Sequence, residues 1–512
     1  MNELPAASET TVLVIGGGPT GLTAGLLLAQ HGLRSIIVER HSGQTGQPKA
    51  HAINPRSLEI FRQLGLDTAK LRRDGVKPED GDTVRFTVSV CGRELGTLPY
   101  ERQDEATLSI TPEPLFNIPQ PDLEAFLSAA VAQSTMITYC RGVQWEACSE
   151  TGNRRLISRV TERATGESKV VESVYILDCG GANSRAREQL EIPFSPLPGY
   201  LQNEVHHVSI HIRADLTKFK PGTLWWTTYS ESVCRDMIDK AIGETLPYEV
   251  LSITAWSTWP RTAEFYQSKR FPHTFVVGDA AHAFPPTGGL GVNTGIADAH
   301  NLVWKISAVE KSWASEDILA GYGAERRPIA VQNARQSVKN QVKLLNLKAA
   351  LRNPPEPESP DWPDWNQRLQ NELRNNEEHF DSIDLQIGYV YGAEETARPC
   401  NFYIPRGTPG ARLPHTWVVS AGREASVLDL VDGTSFVLFS YGLPEGLVTQ
   451  SSVSLRTLRV GVDFQASDGS WLDTVGLSSE GQGLLVRPDQ HILGRVRSAE
   501  DVEQLLARLL RP

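Results

Sequence analysis

The chain has 512 residues, 40% of them apolar and 22% charged, the proportions of a globular protein long enough for two or three cores. Lys and Arg number 50 against 61 Asp and Glu, and the formal charge of −11 argues against nucleic acid or an anionic membrane as partner. No apolar run approaches the ~18 residues of a spanning helix, so a membrane span is not expected.

The opening MNELPAASET lacks the basic start and apolar centre of a signal peptide and reads as a loose tail, and a cytoplasmic location is expected. Six scattered cysteines (Cys91, Cys140, Cys148, Cys179, Cys234, Cys400) form no CxxC pair and no metal-like spacing. They read as thiols in a reducing compartment, and no metal site is expected.

In chain order, Thr11–Ile15 is a β-branched run that reads as a buried parallel strand. It enters Gly16-Gly17-Gly18-Pro19-Thr20-Gly21, a G-x-G-x-x-G turn. Gly16 permits the turn, Gly18 lets a pyrophosphate approach the backbone, and Gly21 lets the next helix pack closely. That helix carries Leu22, Ala24, Leu26, Leu27 and Leu28, and Gly32 is its stop. A second strand, Ser35–Val38, delivers Glu39, an acid suited to a ribose diol. Glu39 disfavours a 2′-phosphate, although Arg40 beside it weakens that inference. The fingerprint points to a dinucleotide without separating NAD from FAD.

Asp82–Leu98 reads as an excursion out of this domain. Val205–Arg213 alternates, with His206, Val208, Ile210 and Ile212 on one side and His207, Ser209, His211 and Arg213 on the other. Trp225–Tyr229 and Leu251–Trp256 also read as strands, and all of these suggest one sheet. Trp225, Tyr229 and His211 are candidate pocket residues: aromatic walls suit a flat substrate, and His or Tyr could help deprotonate a phenol.

Further on, a buried strand (Phe275–Val277) runs into Gly278-Asp279, then a Pro- and Gly-rich loop, then a helix starting near Gly291–Asn293. A carboxylate at a strand's end can hold a sugar-like chain, and helix N–H groups can face something electron-rich. A helix N-cap is the alternative role for Asp279. The segment Leu351–Trp365, LRNPPEPESPDWPDW, reads as an exposed connector.

With these motifs the chain resembles the single-component FAD-dependent aromatic hydroxylases, the group of 4-hydroxybenzoate hydroxylase, phenol hydroxylase and the aromatic-polyketide hydroxylases. The resemblance rests on the first strand and turn, PKAHAINPRSLEIFRQLG (Pro48–Gly65), IPQPDLEAFL (Ile118–Leu127), VVGDAAHAFPPTGGLGVNTGIADAHNLVWK ending at Lys305, and YGAERRPIA (Tyr322–Ala330). It implies an α/β fold: a Rossmann-type FAD-binding domain, an interleaved β-sheet substrate domain and a thioredoxin-like C-terminal domain. The implied boundaries are 1–80, 100–190 and 271–395 for the FAD-binding domain, 81–99 and a shortened 191–270 for the substrate domain, and 396–512 for the C-terminal domain. That last domain, from Ile404 on, has no CxxC, so a structural or dimer-forming role is expected.

By position, the resemblance implies that Gly16, Gly18 and Gly21 line the pyrophosphate, Glu39 holds the adenosine ribose beside Arg40, and Gln120 binds cofactor. Asp279 would bind the ribityl chain, and Gly291, Val292 and Asn293 would present backbone to the pyrimidine end of the flavin. Pro286 would lie near its reactive edge. The implied reaction is hydroxylation of a phenolic or polyketide-derived ring with O₂ and NAD(P)H through a flavin C4a-hydroperoxide.

Three departures stand out. The family motif C-D-G-A-x-S-x-x-R reads Cys179-Gly180-Gly181-Ala182-Asn183-Ser184-Arg185-Ala186-Arg187, so glycine replaces an aspartate linked to FAD and NAD(P)H handling. Asp178 lies two residues earlier, ~7 Å along a strand. Only about 90 residues separate Arg187 from Gly278, which implies missing strands between Tyr229 and Asp236 and a more open pocket. Lys49 stands where many relatives have arginine. Two other readings therefore remain: an enzyme on this scaffold without NAD(P)H, an oxidase or cyclase, and a non-catalytic flavin-binding protein.

Overall fold

Strong local signals set the first elements of the chain. The computed structural model describes residues 4–43, 51–90, 92–151, 154–197, 205–215, 224–227, 238–239, 241–243, 247–393, 398–444 and 453–510. The β-branched run lies in strand β1 (Ala7–Ile15), where Val12, Leu13 and Val14 are wholly buried. Helix α1 (Pro19–Gln30) begins at Pro19, whose missing N–H costs nothing in a first turn. It stops at His31-Gly32, where Gly32 takes φ 79°. Strand β2 (Ser35–Glu39) then returns parallel to β1.

Helix α2 (Pro55–Gln63) is capped by Asn54, whose Oδ1 accepts the Ser57 N–H at 2.9 Å. A hairpin of β3 (Thr83–Thr87) and β4 (Glu94–Pro99) leaves the main sheet, as the excursion predicted. After α3 (Gln120–Gln133) come β5 (Ile137–Arg141), β6 (Val143–Thr151), β7 (Arg155–Glu162) and β8 (Ser168–Asp178). The seven-stranded sheet runs β5-β2-β1-β8. Antiparallel β7 and then β6 flank the first half of β8, and a strand at Thr274–Val276 runs parallel to its second half.

The register sets the site. Ile15 pairs with both Val38 and Asp178, and Asp178 pairs with Val276. Glu39, Gly16, Cys179 and Val277 therefore follow one another along the carboxyl edge of the parallel strands, where open α/β sheets bind ligands.

The remaining middle strands do not form the single sheet that their alternation suggested. Among the described residues, β9 (Val205–Ala214) pairs only with antiparallel β11 (Tyr248–Thr258), while β10 (Leu224–Thr227) runs parallel to β3. Alternation reports which face a residue shares, not which strand lies beside it.

Helix α4 (Leu290–Glu310) is buried along most of its length, and its fit against α1 depends on glycine. A Cβ at Gly295 would lie 2.5 Å from the Thr20 Oγ1 and 2.9 Å from the Gly278 Cα. Helix α5 (Ala320–Ala350) follows, and the Leu351–Trp365 connector proves shorter than expected. Trp362 already begins a helix, with Pro363 in its first turn, and buries Trp365, Leu369 and Leu373 near Phe86 and Leu95.

The C-terminal region builds a four-stranded mixed sheet from Phe436–Tyr441, Leu455–Arg459, Gln482–Val486 and Ile492–Val496, closed by the helix Ala499–Leu510. It docks on α2 through charge. Arg62 forks onto Asp429 at 2.7 and 2.9 Å, and Arg56 donates to Gln490 Oε1 at 2.6 Å. Arg412 forks onto Glu59, both side chains being wholly buried. Burial alone would raise the Glu59 carboxyl, but Arg412 and Arg56 outweigh it and hold it below its ordinary range. Arg412→Leu removes the forked partner of that carboxylate and leaves it the longer Arg56 contact at 3.2 Å and the Thr111 hydroxyl, so denaturant unfolding should show a loss of about 3 kcal/mol. Adding Glu59→Leu should recover most of it.

Candidate active site

A cleft of about 1390 Å³ opens along the carboxyl edge of the sheet, larger than the roughly 300–1,000 Å³ typical of single small-molecule sites. Its walls carry Gly16, Gly18, Glu39, Arg40, Gln120, Asp279, Pro286, Gly291 and Val292, which the sequence had marked from segments far apart in the chain.

The glycines act differently. Gly16 has φ 102°, and a Cβ there would lie 2.4 Å from the Cys179 carbonyl oxygen. A Cβ at Gly18 would meet nothing within 4 Å, so its space opens to the cleft at the uncapped start of α1. Gly21 lies behind the wall, where a Cβ would sit 2.0 Å from the Gly16 carbonyl oxygen, so it serves packing rather than lining. Glu39 accepts the Gly17 N–H on Oε2 and the His41 N–H on Oε1, both at 2.8 Å, which fixes its carboxylate beside the turn. Gln120 opens α3 and donates to Glu124 Oε1 at 2.7 Å.

At the other end, Asp279 is exposed between buried Gly278 and Ala280. It is not the cap of α4, whose first position is preceded by Gly289 at φ 62° with no side-chain cap. Its Oδ1 lies 3.8 Å from where a Gly291 Cβ would be, so the carboxylate and the helix start face the same space. Asn293 does not line the cleft. Its Oδ1 accepts the Asn54 N–H at 3.0 Å and the Ser57 hydroxyl at 2.7 Å, and its Nδ2 donates to the Ala52 and Gly289 carbonyls at 2.9 and 2.7 Å. It positions the helix start.

Beneath this end lies a group that the sequence reading missed. Asp298 is wholly buried and accepts Arg326 Nε at 2.7 Å, the Gly278 N–H at 3.3 Å and a hydrogen bond from His282 Nε2 at 2.8 Å. Burial would raise its carboxyl, but Arg326 and His282 hold it below the ordinary range. The available signal was partial: His282 and Asp298 each interrupt a run of small and apolar residues, whereas Arg326 stands within the charged Glu325-Arg326-Arg327.

Asp178 does not replace the missing aspartate at position 180. It is wholly buried and turned under the loop, with Oδ1 accepting the Gly180 N–H at 2.9 Å and Oδ2 the Ser184 hydroxyl at 2.6 Å. Burial pushes its pKa up to about 6. A Cβ at Gly180 would lie 2.9 Å from Asp178 Oδ1.

His211 is not among the cleft residues. It pairs with Ser252, roughly 13 Å along β11 from Trp256, the first described side chain of that strand to reach the cleft. Trp225 lies on β10 with its side chain outside the description, and Tyr229 and Lys49 lie outside the described residues. Trp256, Trp259, Phe284, His51 and Glu101 line the cleft instead. No group of side chains suited to a metal occurs among the described residues, and none of their helices is long and apolar enough to cross a membrane.

These features suit FAD. Open space at Gly18, a carboxylate projecting at Asp279 and an uncapped α4 start would receive pyrophosphate, ribityl chain and ring in turn. Fold and cleft together define a flavin-dependent aromatic hydroxylase. The comparisons agree: the FAD binding domain family matches residues 9–233 and 220–337, and the family of aromatic-ring hydroxylase C-terminal domains matches 406–512. The chain belongs to the FAD-binding-domain family of aromatic-ring hydroxylases.

It is 29% identical to the FAD-dependent monooxygenase apdD of Emericella nidulans, covering 97% of this chain and 90% of that protein. It is 27% identical to 2,4-dichlorophenol 6-monooxygenase of Cupriavidus pinatubonensis, covering 98% and 96%. That alignment spans 596 positions, more than this chain's 512 residues, so the relative carries insertions. Among solved structures, the flavin-dependent monooxygenase PieE with FAD and substrate superposes with a TM-score of 0.87 at 25% identity, covering 98% and 99%.

Gly180→Asp would set a second carboxylate against Asp178. We expect a stability loss of about 1–3 kcal/mol at neutral pH, shrinking below pH ~6 as Asp178 takes a proton. The sign follows from a folded pKa raised above the unfolded 3.8, which makes the neutral acid the better-tolerated form. Melting curves of Gly180→Asp with and without Asp178→Asn check this: the second change should restore part of the loss.

Proposed function

We propose that this enzyme hydroxylates a large phenolic or polyketide-derived polycycle, using O₂ and NAD(P)H as co-substrates. The observation that carries the reading is the cleft itself: its volume exceeds the range usual for one small-molecule site, and Trp256, Trp259 and Phe284 give it flat aromatic walls. Relatives named for such substrates include tetracenomycin A2 monooxygenase-dioxygenase and aklavinone 12-hydroxylase, each 28% identical. The short middle region supports a wide mouth, and the two stretches of the family match meet by overlapping at 220–233, a range that runs into the interval from Tyr229 to Asp236 where strands were expected to be missing.

Bound FAD supplies the ring system that stores the reducing electrons and activates oxygen. The chain supplies the surroundings. The start of α4 at Gly291 and Val292 turns its positive dipole toward the cleft, where it would stabilise negative charge on a reduced flavin ring. Pro286 and Phe284 exclude water from the ring end, and the tryptophans orient a flat substrate. Glu39 and Asp279 hold the two ends of the cofactor.

One observation favours a second reading. Gly180 offers no carboxylate to the cleft where the family motif has one, and Asp178 beneath it points away. An oxidase or cyclase that takes no electrons from NAD(P)H would fit that change. Anaerobic mixing of the flavin-loaded protein with NADH or NADPH separates the two. Hydroxylation predicts bleaching of the visible flavin band, accelerated about tenfold or more by an accepted phenol or polycyclic quinone. A flavin that dithionite reduces but neither nucleotide does, across the whole panel, contradicts it.

A further inference from the structure

Tyr100 and Glu101, just after β4, form part of the cleft wall beside His51 and Ala52. The Tyr100 and His51 rings stack with centroids 6.2 Å apart, and a Cβ at Gly289 would lie 3.1 Å from the Ala52 Cβ. Those contacts tie the Tyr100 segment to the Pro286–Val292 loop, and Leu385, next to the Glu101 partner Gln386, packs with Leu290 and Phe284, so Glu101 belongs to the ring-end side of the cleft.

Glu101 is unusual in three respects. Its backbone has φ 50°, a left-handed conformation that residues with a side chain seldom adopt, and it is held there by its N–H donating to the Phe380 carbonyl. Only 7% of the residue is exposed, yet it reaches the cleft. Its Oε2 accepts Gln386 Nε2 at 2.9 Å and the Ser382 N–H at 3.4 Å, whereas Oε1 accepts no hydrogen bond from a described residue.

The groups around it leave it the strongest base of this wall. Burial lowers His51 and takes His379 down to about 4, and burial raises the Tyr100 phenol and the Cys400 thiol. Asp381 is shared with Arg102 at 3.0 Å. Burial first, and Asp381 second, push Glu101 up to about 8, against the weaker pull of Arg102 and its two hydrogen bonds.

We propose that Glu101 takes the hydroxyl proton of the phenolic substrate and is a further catalytic residue of this enzyme. The inference rests on the hydroxylase reading above. In the step, the substrate O–H bond breaks and its electron pair stays on the oxygen as phenolate, enriching the ring that accepts oxygen. A new O–H bond forms on Glu101 Oε1, and the carboxylate becomes a neutral acid, the form that burial favours. The proton passes to water at the cleft mouth when product leaves.

The test compares wild-type and Glu101→Gln holoenzyme with 2,4-dichlorophenol and 1,8-dihydroxyanthraquinone, measuring hydroxylated product across the neutral to alkaline range. Wild-type turnover should rise with pH through about 8, because the accepting carboxylate is the deprotonated form. Glu101→Gln should lose about 100-fold in turnover together with that rise, while keeping its FAD content and melting temperature. Glu101→Asp should keep the rise at a reduced rate. The anthraquinone bound to wild type should show the red-shifted band of its phenolate, and bound to Glu101→Gln it should not.

A Gln variant with unchanged rate and pH profile overturns the proposal. So does a rate loss matched by lost FAD or lowered melting, which would confine Glu101 to bracing Gln386 and Ser382. A wild-type enzyme that hydroxylates neither phenol, nor any of the wider panel above, overturns the hydroxylase reading instead, and the proposal with it.

Discussion

Everything at the ring end of the cleft depends on one buried carboxylate. Asp298 sits on α4 yet binds the backbone of Gly278, the ring of His282 and the guanidinium of Arg326, which comes from α5. A lone carboxylate at zero exposure would be costly, and its cationic and hydrogen-bonding partners offset that cost. The constraint joins the strand end that projects Asp279 to the helix whose first turn faces it. Arg326 extends the constraint by donating to the Thr294 carbonyl at 3.3 Å and stacking near Tyr389 and Tyr391.

From that anchor the geometry follows the sheet. Parallel pairing brings Glu39, Gly16, Cys179 and Val277 side by side, so one extended ligand can cross four strand ends. Glycine is required wherever two backbones meet, at Gly16 against Cys179 and at Gly295 against Gly278. The Asp178–Gly180 pair shows how local such requirements are. With the acid below the loop, the residue above it has little room for a side chain, and the cleft loses a carboxylate on that side.

Much of this was legible in the sequence, because a strand, a turn and a helix in order define a phosphate cradle from local signals alone. Gly16, Gly18, Glu39 and Asp279 reach the cleft for that reason, and Gln120, Pro286, Gly291 and Val292, which the family resemblance implied, reach it too. What depends on long-range pairing was not legible. Asn293 looked like a backbone donor, but its side chain ties α4 to Ala52 and Ser57, more than 230 residues earlier. His211 had the right chemistry and a strand's alternation, yet periodicity does not say which end of the strand meets the cleft. Trp256 and Glu101 reach it through the pairing of β11 and a left-handed backbone, neither of which is written in the local sequence.

The most direct test of the account is the FAD affinity of Asp298→Asn, measured by flavin fluorescence on apoprotein that is folded at the temperature used. The change removes the charge while nearly keeping the shape, so Gly278 and α4 lose their common anchor. The account predicts FAD binding weaker by about 10–100-fold, as expected for losing charged hydrogen bonds that set the site. A variant that melts lower but binds FAD as tightly as wild type would contradict it, because Asp298 would then hold the fold together without shaping the site.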